Sequence, residues 1–170
     1  MLRLESVNYE VRGKIAILTL DEPNKLNALT TGIRAGILEG LKRADNDDQV
    51  RVSIITGAGG KAFCAGADIG NFDFDPDKAR AFFIDAMGVL SAPERALKPV
   101  ISAVNGIAYG GGFELAIASD FIFAAESARF AVPEIKLGLL PGFAIVRLMD
   151  IVGRAKAKEM SMLGDPVSAA

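Results

Sequence analysis

The chain contains no histidine. A Ser-His-Asp or Cys-His nucleophile and a His-based zinc site are therefore impossible within it. Acid–base chemistry falls to carboxylates, tyrosine or lysine, and two glutamates stand out by their surroundings. Glu114 follows Tyr109-Gly110-Gly111-Gly112-Phe113. Three consecutive glycines are costly in backbone entropy, so some geometry must need them. They end an apolar strand and open an apolar helix, where unpaired amides and the positive end of the helix dipole favour an anionic oxygen. Glu134 sits between apolar neighbours in Ala131-Val132-Pro133-Glu134-Ile135. Apolar surroundings raise a carboxyl pKa, which suits a proton donor. A second run of small residues, Cys64-Ala65-Gly66-Ala67-Asp68, lets a ligand approach the main chain closely, with the amide of Ala67 available to a ligand oxygen. Each feature also has a plainer reading. Glu114 complements a helix dipole, the glycines serve packing, Glu134 is an exposed loop acid, and 64–68 is a tight turn.

Other motifs fail their templates. Gly57-Ala58-Gly59-Gly60-Lys61 is followed by Ala62, where a P-loop needs Ser or Thr and the dinucleotide fingerprint needs its third glycine. It reads as a turn after a strand. Asp45-Asn46-Asp47-Asp48 and Asp73-Phe74-Asp75-Pro76-Asp77 lack the sixth-position glycine and distal glutamate of a calcium loop. They read as charges at helix ends and starts. The net charge of −2 and the absence of a basic helix argue against nucleic acid and anionic membrane as partners. The longest uncharged stretch, residues 99–113, is too short to span a bilayer and holds four glycines. A single cysteine, Cys64, excludes an internal disulfide framework. With no apolar leader at the N-terminus, the cytoplasm is the expected location.

These residues need elements to position them. Residues 6–11 and 14–20 read as a β-hairpin around Arg12-Gly13. Thr30 or Thr31 caps a helix reaching about Asn46, with Ile33, Ile37, Leu38 and Leu41 on one face. Residues 51–56 form a strand. Residues 77–97 form a helix with Phe82, Phe83, Met87 and Leu90 inward. Residues 100–104 form a buried strand ended by the triple glycine, 113–118 a helix, and 121–124 another buried strand. Two helices follow near 144–151 and 154–163, then a turn at Gly164-Asp165-Pro166. Strands alternating with helices predict an α/β layered fold, in one domain over residues 1–170.

Several segments together resemble the crotonase, or enoyl-CoA hydratase/isomerase, superfamily. They are Pro23-Asn24-Lys25-Leu26-Asn27-Ala28-Leu29, Lys61-Ala62-Phe63-Cys64-Ala65-Gly66-Ala67-Asp68-Ile69, Ala103-Val104-Asn105-Gly106, Gly110-Gly111-Gly112-Phe113-Glu114-Leu115-Ala116, Pro133-Glu134, Leu137-Gly138-Leu139-Leu140-Pro141-Gly142 and Val152-Gly153-Arg154-Ala155. They stand in the family's order over essentially the whole chain. The resemblance implies a crotonase-like β-β-α spiral core that binds an acyl-CoA. It implies an oxyanion hole made of the Ala67 and Gly111 amides, and catalytic glutamates at Glu114 and Glu134. It implies a CoA path along Lys25, Leu26, Ala65, Asp68, Ile69 and Gly110, and an acyl pocket near Phe113, Pro141 and Phe143. The implied activity is reversible addition of water to a 2,3-enoyl-CoA. Coenzyme A enters as part of the substrate, with no separate cofactor and no metal.

The chain departs from the family pattern in three places. Asn24 and Gly70 stand where many hydratases carry lysines near the CoA phosphates, and Lys25 is the substitute for the first. Phe143-Ala144-Ile145-Val146-Arg147-Leu148 replaces the usual glycine-rich stretch, so an altered acyl preference is expected. The family's further C-terminal helices, which drive homotrimer and hexamer formation in full-length members, are expected to be absent or truncated. Two alternatives stand beside a hydratase: a Δ3-Δ2 enoyl-CoA isomerase using Glu134 as a single shuttle, and a non-catalytic binding or assembly subunit.

Overall fold

The expected hairpin forms, with a short strand added at its outer edge. In the computed structural model, which describes residues 1–68, 70 and 75–170, β1 (Leu2–Leu4) pairs antiparallel with β2 (Val7–Arg12), and β2 with β3 (Ile15–Leu20). The chain then crosses through α1 (Thr31–Asn46) to β4 (Val52–Gly57), which lies parallel to β3 in the register Ile15↔Val52 to Leu20↔Gly57. Thr30 is the cap, its hydroxyl accepting the Ile33 amide at 3.2 Å and donating to Glu22 Oε1 at 2.8 Å. Thr30→Ala is expected to destabilise the fold by about 1 kcal/mol in urea unfolding. Ile33, Ile37 and Leu41 are buried as the spacing required. Leu38 is exposed instead, because the inward stripe of α1 is completed by Gly36, Gly40 and Ala44. Small residues there let the helix lie close on the hairpin.

From β4 onward the chain winds in a repeating spiral. β5 (Ala62–Cys64) is followed by α2 (Pro76–Leu90) and α3 (Ala92–Arg95). β6 (Val100–Val104) and β7 (Ile107–Tyr109) lead into α4 (Gly111–Ile117). β8 (Phe121–Ala124) and β9 (Arg129–Ala131) lead into α5 (Ala144–Val152) and α6 (Arg154–Leu163), and β10 (Val167–Ser168) returns antiparallel to β9. The first strand of each pair extends one sheet, in the order β1-β2-β3-β4-β6-β8. The second strand extends the other, β10-β9-β7-β5. This is the β-β-α spiral. Leu18, Leu20, Ile55, Phe63, Leu115 and Leu148 are fully buried between the layers.

Several further expectations change. The apolar stretch before the triple glycine is two strands in two different sheets, because Asn105 turns the chain: its amide donates to the Gly57 and Gly59 carbonyls, both at 2.9 Å. The 57–60 segment is thus a structural turn. The helix expected over 77–97 is two helices meeting at Ser91, where Pro93 enters the first turn of α3. Phe83 and Met87 are also not inward on the protein core. Finally, β8 is not buried. Among the described residues it is the last strand of its sheet, with one neighbour, and Phe121 and Phe123 are 60% and 66% exposed.

Candidate active site

Two turns approach each other at the ends of β5 and β7. After β5, Gly66 takes a φ of +94°, and its carbonyl accepts the Leu29 amide at 2.8 Å. Ala67 then bridges Leu29 in parallel fashion, and the Ala65 amide donates to the Leu26 carbonyl at 3.0 Å. Asn27, fully buried, locks this neighbouring loop by donating to the carbonyls of Ala58 and Ala62 at 3.0 and 2.9 Å. After β7, Gly110 turns the chain at φ +50° and donates its amide to Ala131 at 3.0 Å, so that Gly111 becomes the first residue of α4. A methyl group on Gly66 would stand 2.6 Å from the Tyr109 carbonyl oxygen and 3.1 Å from the Gly111 nitrogen, and one on Gly111 would stand 3.7 Å from the Ala67 nitrogen. The two turns are therefore in backbone contact, with the Ala67 and Gly111 amides side by side. An amide at the first helical position has no acceptor within its own helix, and among the described residues no backbone acceptor meets either one.

Both turns border a cavity of about 240 Å³. Glu114 on α4 and Glu134 on the 3₁₀ turn Pro133–Leu137 line the same cavity. Glu114 is buried, and its Oε1 accepts the Phe143 and Ala144 amides, each at 2.8 Å. Burial raises its pKa, and those two N–H groups pull it partly back. Glu134 is pushed up to about 7, first by burial and further by the charge of Glu114, with its own backbone N–H opposing. Its Oε2 is buried without a partner among the described residues. The arrangement thus offers two neutral N–H donors, a carboxyl held by main-chain donors and a second carboxyl poised near neutrality.

The opposite wall comes from α2: Phe82, Phe83, Ala86, Met87 and Leu90 face the cavity, as do Leu137, Leu139 and Leu140 from the loop. Phe83 and Met87, both partly exposed, line this space rather than the protein core. Periodicity marked them as apolar but could not tell a core from a cavity wall. Arg34 on α1 ties this wall to the body, donating to the Leu29 carbonyl at 2.9 Å and pairing with Asp85 at 2.8 Å.

Of the expected CoA-path residues, Ala65 and Gly110 border the cavity. Lys25 and Asp68 form an ion pair at 3.4 Å away from it, and Leu26 borders a separate hollow of about 220 Å³ with Asn24 and Lys61. Ile69 lies outside the described residues. None of the three residues expected at the acyl pocket lines the cavity. Phe113 points the other way along α4 and packs on Phe130, with ring centroids 5.1 Å apart. Pro141 faces a hollow beside α6. Phe143 is buried, and what it contributes is its amide to Glu114. Tyr109, at the Gly66 contact, lines the cavity unanticipated. Cys64 is buried with its thiol pushed up to about 12, so it is no nucleophile. No cluster among the described residues has metal-ligand character, and no described helix is long and apolar enough to cross a membrane.

Comparison with known proteins gives a consistent result. The family model for enoyl-CoA hydratase/isomerase matches residues 10–170. The short-chain-enoyl-CoA hydratase of Clostridium acetobutylicum is 38% identical over 170 residues, covering 99% of this chain and 65% of that protein. The crotonyl-CoA hydratase of Syntrophomonas wolfei is 39% identical over 167 residues, covering 97% and 64%. The crystal structure of enoyl-CoA hydratase from Bacillus anthracis superposes with a TM-score of 0.91 at 32% identity, over 96% of this chain and 65% of that one. The chain thus spans just under two thirds of the length of these relatives.

Proposed function

Because the chain belongs to the enoyl-CoA hydratase/isomerase family, we propose that its cavity is the reacting centre for reversible addition of water to a 2,3-enoyl-CoA thioester. The observation that carries this reading is the grouping of two adjacent main-chain amides with two carboxyl groups of raised pKa around one cavity. In the reaction, the thioester carbonyl oxygen accepts N–H from Ala67 and Gly111. As water adds at Cβ, negative charge flows to that oxygen, and donors fixed in advance stabilise it without reorganising. Glu114 acts in its ionised form, the form that the Phe143 and Ala144 amides favour against the effect of burial, and takes a proton from the attacking water. Glu134 is protonated and delivers its proton to Cα. The water oxygen becomes the hydroxyl on Cβ, and one proton is left on Glu114 for return to solvent or Glu134. Two carboxyls in different protonation states divide the acid and base roles.

The same reading takes acyl-CoA as the partner, needs no separate cofactor, places the reaction in the cytoplasm, and expects the full-length protein to assemble as a homotrimer or hexamer. Incubation with crotonyl-CoA tests it. Loss of the conjugated enoyl absorbance with a mass gain of one water supports the reading. Double-bond migration only from a 3-enoyl-CoA, or no turnover of either ester, overturns it.

A further inference from the structure

The donors that hold Glu114 belong to another element. Phe143 precedes α5 as its cap residue and Ala144 is its first residue, so Glu114 is held only where the start of α5 is held. Ala144 and Leu148 anchor the inner face of α5, but Ile145, Val146 and Met149 are exposed. One polar contact restrains the same turn from outside. Arg147 lies one turn beyond Phe143, its amide donating to the Phe143 carbonyl at 3.2 Å. Its guanidinium reaches Glu94 on α3 with Nε to Oε1 at 2.7 Å and Nη2 to Oε2 at 2.9 Å. The guanidinium carbon also sits 5.7 Å from the centre of the Phe143 ring. The fork therefore grips α3 and covers the very residue whose amide meets Glu114. Since α3 follows the wall helix α2 through Ser91, the contact joins the cavity wall to the Glu114 donors.

We propose that Glu94 and Arg147 are a positioning pair that fixes the start of α5 and so holds the Glu114 carboxylate for the reaction. This rests on the reading of Glu114 as the group that activates water. A half-exposed ion pair ordinarily adds little to stability, so a merely structural role predicts little change on breaking it. The bidentate geometry is what a positioning role needs, because it sets angle as well as distance.

The charged groups around this contact make the test discriminating. Glu134 faces Glu114 from the 3₁₀ turn, Asp150 stands beside Arg147 on α5, and Arg34 pairs with Asp85 between α1 and α2. Glu94→Gln removes a negative charge and Arg147→Gln a positive one. Acting through space, they would move the Glu114 titration in opposite directions. Acting through the position of α5, both would raise it, because both loosen the amides that favour the ionised form. Carboxyl-carbon NMR of Glu114 across pH, with the Phe143 and Ala144 amide shifts, reads this directly in the whole chain. With crotonyl-CoA, both variants are expected to lose about ten- to a hundredfold in kcat. KM should stay within about twofold, and the acid limb should move to higher pH. Arg147→Lys, which keeps the charge but lacks the fork, should behave like Arg147→Gln, and the double variant should be no worse than either single one. Opposite shifts of Glu114, or an unmoved titration in all three, overturn the proposal. A kcat loss that merely follows a fall in melting temperature does so as well. If the parent chain has no hydratase activity, the functional reading fails, while the NMR titration still decides the positioning claim.

Discussion

Glu134→Gln is expected to lower kcat for crotonyl-CoA hydration by about 10²- to 10⁴-fold, while making the fold more stable above neutral pH. The two effects have one origin. In the folded chain burial and the neighbouring Glu114 charge raise the Glu134 pKa from 4.5 to about 7. Between those values the folded chain binds more protons at this site than the unfolded chain does. Stability contributed here is therefore full below about 4.5, falls as pH rises, and is lost above about 7. Glutamine is neutral at every pH and escapes that loss. After allowance for solvent screening, the gain at about pH 8 should be on the order of 1–2 kcal/mol, vanishing near pH 4. Urea unfolding of parent and variant at the two pH values checks it. Glutamine also has no proton to give to Cα, so the rate collapses. In the parent, the hydration rate should decline as pH rises through about 7, where the donor form disappears. A variant with parental kcat, or one no more stable at alkaline pH, contradicts the account.

Gly66→Ala should be nearly as damaging by a different route. The position sits at φ +94°, and the added methyl would meet the Tyr109 carbonyl oxygen at 2.6 Å and the Gly111 nitrogen at 3.1 Å. These are backbone atoms at the end of β7 and the start of α4, so no side chain can rotate away. The two turns must separate, and with them the Ala67 and Gly111 amides. Losing one donor of such a pair typically costs about 10²- to 10³-fold in kcat. The expectation is a fall in kcat of that size with far-ultraviolet circular dichroism retained and KM changed much less. Full activity in this variant would exclude the paired amides as the carbonyl-binding element.

The sequence was most legible where a local signal suffices. Thr30 as a cap, the hairpin of β2 and β3, and the burial that raises the pKa of Glu134 all follow from residues within a few positions of one another. What could not be read depends on what lies across space. Residues 100–109 look like one apolar run, and only the Asn105 contacts to Gly57 and Gly59 reveal two strands in different sheets. The apolar run of β8 reads as buried because composition cannot say that its sheet ends there. Phe113 and Glu114 are neighbours in sequence, yet about 100° apart around a helix. They serve different faces of α4, one packing on Phe130 and the other facing the cavity. The aromatic wall of α2 carried the right periodicity and the wrong partner. The family resemblance supplied the pairing of the two glycine turns, which no local rule could.

That pairing has a consequence for how the site is to be found experimentally. The two candidate carbonyl-binding groups are peptide N–H bonds, present whatever side chain is attached. Truncation scanning would pass over them: Ala67 is already alanine, and Gly111 has nothing to remove. A mutational map of this chain would show sharp losses at Gly66 and Gly110, where the backbone path itself is at stake, and any loss at Gly111 would report the crowding of an added methyl against Leu29 rather than the N–H itself. Only replacing a peptide bond by an ester, which deletes one N–H and leaves every side chain in place, would make these atoms visible to genetics-like logic.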